Sequence, residues 1–150
     1  DNTEHCQFGC NIWNTSKSKK SKTSETVVTK KHVKMQKALH SRLVSKYGKK
    51  YVDYECELIQ GKFADLVVLL DSGKYAVYEI KTQPTARECI REAIGQLLEY
   101  SYWPGSQSVE QIWVVGPTHM DDKSTEYIES LKSQFGLPIG YVHQPVEDSG

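Results

Sequence analysis

Three charged side chains interrupt two otherwise apolar runs near the middle of this sequence. Asp65 lies within "FADLVVLL", and Glu79 and Lys81 lie within "YAVYEIK". Both runs are rich in β-branched and aromatic residues, which predicts buried strands. Because burying a charge is costly unless a partner neutralises it, we expect these three side chains to act together in one site.

The loop between the two runs decides whether the two carboxylates meet. Glu79 and Lys81 are two residues apart in a strand, so their side chains leave the same face. If "DSG" is a three-residue hairpin loop with Gly73 in the left-handed conformation, Asp65 lies opposite Glu79. A two-residue or four-residue loop would instead place Asp65 opposite Ile80, with its side chain on the other face. We predict the three-residue loop.

Two carboxylates facing each other across a hairpin form a typical binding site for a divalent cation. Their Cβ atoms lie ~4.5–5.5 Å apart, close enough to share one ion. Hard oxygen ligands suit Mg²⁺ or Mn²⁺, and a neighbouring lysine adds positive charge for a phosphate group. These are the parts that phosphodiester hydrolysis needs. A structural ion pair of Lys81 with Asp65 or Glu79 is the alternative, but it accounts for only one carboxylate.

The elements that must hold this site follow from periodicity and turn signals. Met35, Leu39, Leu43 and Tyr47 recur every four positions and predict an amphipathic helix. In chain order we predict a helix over 29–47, strands over 51–59, 63–70 and 75–81, a helix over 85–103, a strand over 110–115, a helix over 123–135 and a strand over 139–143. This order predicts an α/β fold, with a mixed sheet flanked by helices.

The charge of the chain is distributed unevenly. Residues 1–50 hold twelve Lys or Arg and three Asp or Glu, whereas residues 51–150 hold seven and sixteen. A basic front end on an acidic body indicates a polyanionic partner. Residues 1–28 are polar and rich in Lys, Ser and Thr, so we predict a basic flexible tail or linker, followed by one folded domain over 29–150. A merely solubilising tail is the alternative.

The cysteines and the apolar content bear on metal binding and location. His5, Cys6 and Cys10 resemble half of a zinc site, with free thiols at Cys6, Cys10, Cys56 and Cys89 as the alternative. Because no apolar run approaches the ~18 residues of a membrane span, we expect no membrane insertion and an intracellular location, cytoplasmic, nucleoid or nuclear. The first residue is not Met, which indicates a piece of a longer chain with a domain upstream.

Two motifs together carry a family resemblance. Asp65, followed after thirteen residues by "EIK", resembles the PD-(D/E)xK nuclease superfamily, with Ala64 where the family name has proline. Gln96 and Tyr100 in "GQLLEY" resemble the Q-xxx-Y motif of its RecB-like branch. The resemblance covers about residues 29–118 and implies the restriction-endonuclease-like α-β-β-β-α-β core, to which this chain adds a C-terminal helix and strand. It also implies a Mg²⁺-dependent deoxyribonuclease.

The resemblance implies roles for individual residues. Asp65, Glu79, Lys81 and Gln96 are the expected catalytic set, with Asp65 and Glu79 holding Mg²⁺ or Mn²⁺. A histidine of the first helix often joins the metal in the RecB-like branch, and His32 and His40 are the candidates here. We expect the DNA contacts at Tyr100, Lys30, Lys31 and Lys34.

Turn chemistry at "QGK" points to a further metal ligand. If this connection is also a three-residue loop, Glu57 lies opposite Asp65 and is the accessory ligand, with Glu55 as its alternative on that face. The leading interpretation of the chain is a DNA nuclease, restriction-type or defence-type by fold-level analogy. A catalytically silent nucleic-acid-binding or scaffolding module is the alternative, and a homodimer or larger complex stays open.

Overall fold

The computed structural model describes residues 27–147 of the chain. The elements, in chain order, are α1 (Val27–Tyr47), a short 3₁₀ helix (Lys49–Tyr51), β1 (Val52–Ile59), β2 (Lys62–Leu69), β3 (Tyr75–Ile80), α2 (Ala86–Tyr102), β4 (Val109–Gly116), α3 (Asp122–Phe135) and β5 (Ile139–His143). This order confirms the predicted α/β core and the additional C-terminal helix and strand. Most of the predicted tail lies outside the described residues, and so does the zinc half-site at His5, Cys6 and Cys10; α1 begins two residues earlier than expected.

All five strands form one sheet in the order β1-β2-β3-β4-β5. The first three strands are antiparallel neighbours, whereas β3, β4 and β5 run parallel. Parallel strands end at the same edge of a sheet, so the carboxyl ends of β3, β4 and β5 lie together. Lys81 is at this edge, where its backbone N–H donates to the carbonyl of Val115 at 2.9 Å.

Helices cover both faces of the sheet. The predicted stripe of α1, with Met35, Leu39 and Leu43, is buried against one face. The other face packs against α2 and α3 through side chains that include Ile90, Leu97 and Ile128. Each face of the sheet therefore has its own apolar layer, and the strands between them are buried on both sides.

The helix ends follow the local signals in the sequence. Thr85 caps α2 through its hydroxyl, which accepts from the Glu88 N–H at 3.2 Å and donates to the Glu88 carboxylate at 2.9 Å. Threonine is a preferred residue at this position because its hydroxyl satisfies a free N–H of the first turn. Asp121 caps α3 by accepting from the Ser124 N–H at 2.8 Å. Within residues 27–147, no helix combines the length and apolar character needed to cross a membrane.

In the β1–β2 pair, the side chains stop alternating between the two faces of the sheet at one position on each strand. Val52 and Tyr54 belong to the layer under α1, whereas Cys56 and Leu58 belong to the layer under α2. The exchange takes place at Glu55, which has a backbone φ of 51°. On β2 the exchange takes place at Asp65, because Ala64 packs under α2 and Leu66 packs under α1. Residues of both helices can therefore approach this level of the sheet.

Two of the cysteines lie among the described residues. Cys89 is a buried free thiol, and burial raises its pKa to about 11. Cys56 is disulfide-bonded, which corrects the expectation of a free thiol at this position.

Candidate active site

The connection between β2 and β3 is the predicted three-residue loop. The Leu70 N–H donates to the Lys74 carbonyl at 2.8 Å, and the Gly73 N–H donates to the Leu70 carbonyl at 2.9 Å. Gly73 has a φ of 85°, which glycine adopts without strain. The loop closes with Leu70 and Lys74 facing each other, as predicted.

This loop sets the register that brings the two carboxylates together. Leu66 and Tyr78 form the last pair of this ladder, and the same register continued by one residue places Asp65 level with Glu79. This register is the one that the three-residue loop predicts. At this level the Asp65 side chain replaces the backbone as acceptor, since its Oδ2 receives the Ile80 N–H at 2.8 Å. Both carboxylates are buried, with 2% of Asp65 and 4% of Glu79 exposed.

Lys81 follows Glu79 on the same face, as its spacing predicts. Its Nζ lies 3.9 Å from Glu79 Oε2, and its side chain is 22% exposed against 5% for the glutamate side chain. The ammonium group therefore borders the carboxylates and also reaches solvent. A group in that position can contact a phosphate that approaches the edge of the sheet.

A histidine from α1 joins this arrangement. His32 Nε2 lies 3.3 Å from Asp65 Oδ2. The other candidate, His40, packs edge-on against the Tyr54 ring, with the ring centroids 6.0 Å apart. Of the two histidines considered from sequence, His32 is therefore the one beside the acidic residues.

The expected register of Glu57 is wrong. Ile59 pairs with Lys62, so the connection is a two-residue turn, and an irregularity between Glu57 and Ile59 shifts the pairing further. Glu57 consequently lies opposite Phe63 instead of Asp65. Its carboxylate accepts the Gly61 N–H of the turn at 2.8 Å.

Glu55, the alternative to Glu57, occupies the level of Asp65. The flanking pairs are Tyr54 with Leu66 and Cys56 with Ala64, which leaves Glu55 and Asp65 facing each other. The buried amide of Gln36 bridges them, because its Nε2 donates to the Asp65 carbonyl at 2.9 Å and to Glu55 Oε2 at 3.2 Å.

Gln36 was missed by the sequence reasoning. A signal for it was nevertheless present, since His32 and Gln36 are four residues apart and share one face of α1.

Tyr100 lies on the α2 side of the same carboxylates. Its hydroxyl donates to the Phe63 carbonyl at 2.9 Å, and only 3% of the residue is exposed. Burial, and then the neighbouring charges of Glu79 and Asp65, raise its pKa far above the ordinary range. The expectation of a direct DNA contact therefore needs correction, because a buried hydroxyl that bonds to β2 is a positioning group.

The other expected nucleic-acid contacts are on helices near this site. Gln96 lies one turn before Tyr100 on α2 and is half-buried, and within residues 27–147 no hydrogen bond joins it to the acidic residues. Lys30, Lys31 and Lys34 are exposed on α1 around His32. A basic helix surface therefore lies next to the residue that contacts Asp65.

The donor set at this edge of the sheet has the chemistry of a divalent cation site. Asp65, Glu79 and Glu55 offer carboxylate oxygens, and His32 offers an imidazole nitrogen. Among residues 27–147, no group of three or more His, Cys, Asp or Glu side chains is arranged to hold a metal ion. Mg²⁺ commonly uses one or two carboxylates and completes its shell with water and phosphate, which these residues fit.

No protein-family model matches the sequence, and no curated protein matches it. Among solved structures, the crystal structure of a repair endonuclease from Pyrococcus abyssi is similar, with 15% sequence identity and a TM-score of 0.38. The match covers 84% of this chain and 50% of that chain, so this chain spans about half the length of that protein. The candidate site therefore stands on its own geometry.

Proposed function

We propose that this chain is a nuclease domain that hydrolyses DNA phosphodiester bonds with Mg²⁺ or Mn²⁺. The observation that carries the proposal is the hairpin pair of Asp65 and Glu79, with Lys81 3.9 Å from the glutamate. Two opposed carboxylates and a solvent-reaching ammonium group are the parts required to hold a cation and a phosphate together. An intracellular location belongs to this proposal, because DNA is the substrate.

Each residue of the site has a distinct task in this proposal. Asp65 and Glu79 would hold the ion, and Glu55 is the accessory carboxylate in place of Glu57. Lys81 would neutralise charge that develops on the phosphate. A bound divalent ion supplies the electrophilic charge that activates water and the phosphate group.

Three uncharged or weakly basic groups support Asp65 and the strand that carries it. His32 and the Ile80 N–H both contact Asp65 Oδ2, which fixes the orientation of this carboxylate. Tyr100 remains a neutral phenol at working pH, so its hydroxyl keeps the proton that it donates to the Phe63 carbonyl on β2. Such supporting contacts tune ligand geometry in metal sites.

The basic surface of α1 suits a DNA backbone. Three exposed lysines lie beside His32 on this helix: Lys30, Lys31 and Lys34. Their ammonium groups would bind phosphates on either side of the scissile bond. We place restriction-type or defence-type cleavage first within the nucleases, by fold-level analogy. A catalytically silent nucleic-acid-binding module is the competing function, and it predicts DNA binding without cleavage.

The test is cleavage of linear, circular, single-stranded and branched DNA with Mg²⁺ or with EDTA. We expect cleavage with Mg²⁺ only, and a decrease of at least about 100-fold in rate for Asp65→Ala, Glu79→Ala and Lys81→Ala. Asp71→Ala and Lys74→Ala are matched controls, since both residues are exposed at the far end of the same hairpin. Wild-type rates in all three site variants would contradict the proposal.

Metal binding can be measured without cleavage. We expect calorimetric titration with Mn²⁺ to show binding to the wild-type protein and weaker or no binding to Asp65→Ala. DNA binding without either metal binding or cleavage would favour the silent module.

A further inference from the structure

An open cleft lies between α2 and α3, and it shares no residue with the acidic site. Its volume is about 680 Å³. Arg87, Arg91 and Ile94 line it from α2, and Lys123 and Tyr127 line it from α3. The two arginines are four residues apart, so they extend from one face of their helix. Lys123 and Tyr127 have the same spacing on α3.

The charge of this cleft is opposite to that of the surrounding body. Residues 51–150 carry only seven Lys or Arg against sixteen Asp or Glu, yet three of the seven line this one cleft. Asp121 is the carboxylate at its border. Its pKa is lowered mainly by its hydrogen bond with the Ser124 N–H, and Arg87 contributes less. Three cationic side chains against this one carboxylate leave the cleft with an excess of positive charge.

The three cations are available to a ligand. Within the described part of the chain, Arg87, Arg91 and Lys123 form no ion pair with a carboxylate. A guanidinium group binds the oxygens of a phosphate in a fork, and a pair of arginines on one helix face can contact neighbouring phosphates. Tyr127, which is 44% exposed, adds a ring for a sugar or base.

The cleft starts at the same sheet edge as the acidic site. Arg87 lies in the first turn of α2, six residues after Lys81. The loops after β3 and β4 are joined where the Thr118 hydroxyl donates to the Pro84 carbonyl at 2.9 Å. A polyanion that passes Lys81 can therefore continue across this edge to the two arginines.

We propose that the α2–α3 cleft binds the phosphodiester backbone of DNA outside the scissile phosphate. This inference rests on the proposed nuclease function and adds a second contact region to it. The cleft would lengthen the footprint of the enzyme beyond the basic surface of α1. It would also orient the DNA along the edge where β3, β4 and β5 end.

The test measures binding of duplex and single-stranded oligonucleotides by fluorescence anisotropy in EDTA, which needs no cleavage. We expect Arg87→Ala/Arg91→Ala to weaken binding and to reduce the slope of log affinity against log salt by about 0.9 for each duplex phosphate that the variant no longer neutralises. Lys74→Ala/Lys132→Ala is the matched control, because it removes the same net charge from sites outside the cleft. Arg87→Lys/Arg91→Lys should restore part of the affinity.

The outcomes separate this inference from the proposed function. Equal weakening by the two double alanine variants would overturn the inference, since general charge would then account for binding. Binding that depends on the cleft, together with an absence of cleavage under Mg²⁺, would contradict the nuclease proposal alone. Competition by a free mononucleotide that needs Arg87 and Arg91 would assign the cleft to a small ligand and overturn the DNA assignment. No DNA binding by the wild-type protein would overturn both.

Discussion

Glu55 has the least favourable backbone geometry near the candidate site. Among residues 27–147 it is the one residue other than glycine with a positive φ. The left-handed conformation costs roughly 1–2 kcal/mol for a residue with a Cβ atom. The distortion lies where β1 changes face and where Gln36 bridges Glu55 to Asp65. Strain of this kind is often concentrated at functional sites, which supports a role for the Glu55 carboxylate.

Glu55 and Glu57 give a direct test at the scale of one residue. We expect Glu55→Gln to lower the cleavage rate by about 10- to 100-fold, because the substitution removes an accessory carboxylate beside Asp65. Glu57→Gln should cleave at nearly the wild-type rate, since its carboxylate serves the β1–β2 turn. The measurement is the initial cleavage rate at several Mg²⁺ concentrations.

Unfolding in urea provides the control, because both variants should remain folded under the assay conditions. If Glu57→Gln became inactive and Glu55→Gln retained activity, the assignment of the accessory carboxylate would be reversed.

At the scale of the element, the β2–β3 loop tests how much one glycine contributes to the stability of the protein. Gly73→Ala should destabilise the protein by about 1 kcal/mol, because its φ of 85° disfavours a side chain. No heavy atom lies within 4 Å of the added Cβ, so the cost comes from the backbone alone. Chemical denaturation measures the change.

Gly95 provides a control of opposite sign. It lies inside α2, and an added Cβ there also meets no atom within 4 Å. Gly95→Ala should therefore stabilise the protein by about 0.5–1 kcal/mol. If both alanine substitutions changed the stability in the same direction, the positive φ of Gly73 would not be what sets the two glycines apart.

The cap at the amino end of α3 predicts that the stability of the protein depends on pH. The hydrogen bond from the Ser124 N–H lowers the pKa of Asp121 below its usual range. A lowered pKa in the folded state contributes stability at neutral pH, and this contribution disappears as the pH falls through the folded-state value. The stability difference between wild type and Asp121→Ala should therefore shrink on acidification from pH 7 toward pH 3.

Urea denaturation at each pH checks this expectation, with Asp121→Asn as the control. The asparagine keeps a side-chain oxygen for the cap but cannot titrate, so its contribution should not change with pH. A difference between wild type and Asp121→Ala that is independent of pH would argue against a charged cap.

At the scale of the whole molecule, phenols that are buried, as in Tyr78 and Tyr100, or half-buried, as in Tyr141, make the folded state sensitive to alkali. Burial is the largest cause that raises the pKa values of Tyr78, Tyr100 and Tyr141 above the ordinary range. The folded state therefore keeps these three protons while the unfolded chain releases them near pH 10. Stability should fall as the pH rises above 10, by up to about 4 kcal/mol per pH unit.

Denaturation between pH 8 and pH 11 measures this slope. Tyr100→Phe should reduce it by about the contribution of one proton, ~1.4 kcal/mol per pH unit. Tyr102→Phe is the control, because Tyr102 is 59% exposed. Equal slopes for wild type and Tyr100→Phe would mean that this phenol ionises in the folded state.

Local signals in the sequence were sufficient to predict the helices and strands and to predict the register of Asp65 and Glu79. Apolar periodicity predicts each helix and strand, because these patterns report which face of an element is buried. The opposition of Asp65 and Glu79 could be predicted because the loop between their strands has three residues, one of them a glycine that tolerates a positive φ. Within a hairpin, such a loop sets the register without help from distant residues.

Contacts between distant segments decided the rest of the site. The irregularity at Glu57 and the face change at Glu55 arise where β1 packs between layers from opposite sides of the sheet. The choice of His32 over His40 depends on where α1 crosses the sheet. The helical period alone leaves both histidines as candidates. These features were not predictable because register at an irregular strand and helix placement depend on packing between segments far apart in the chain.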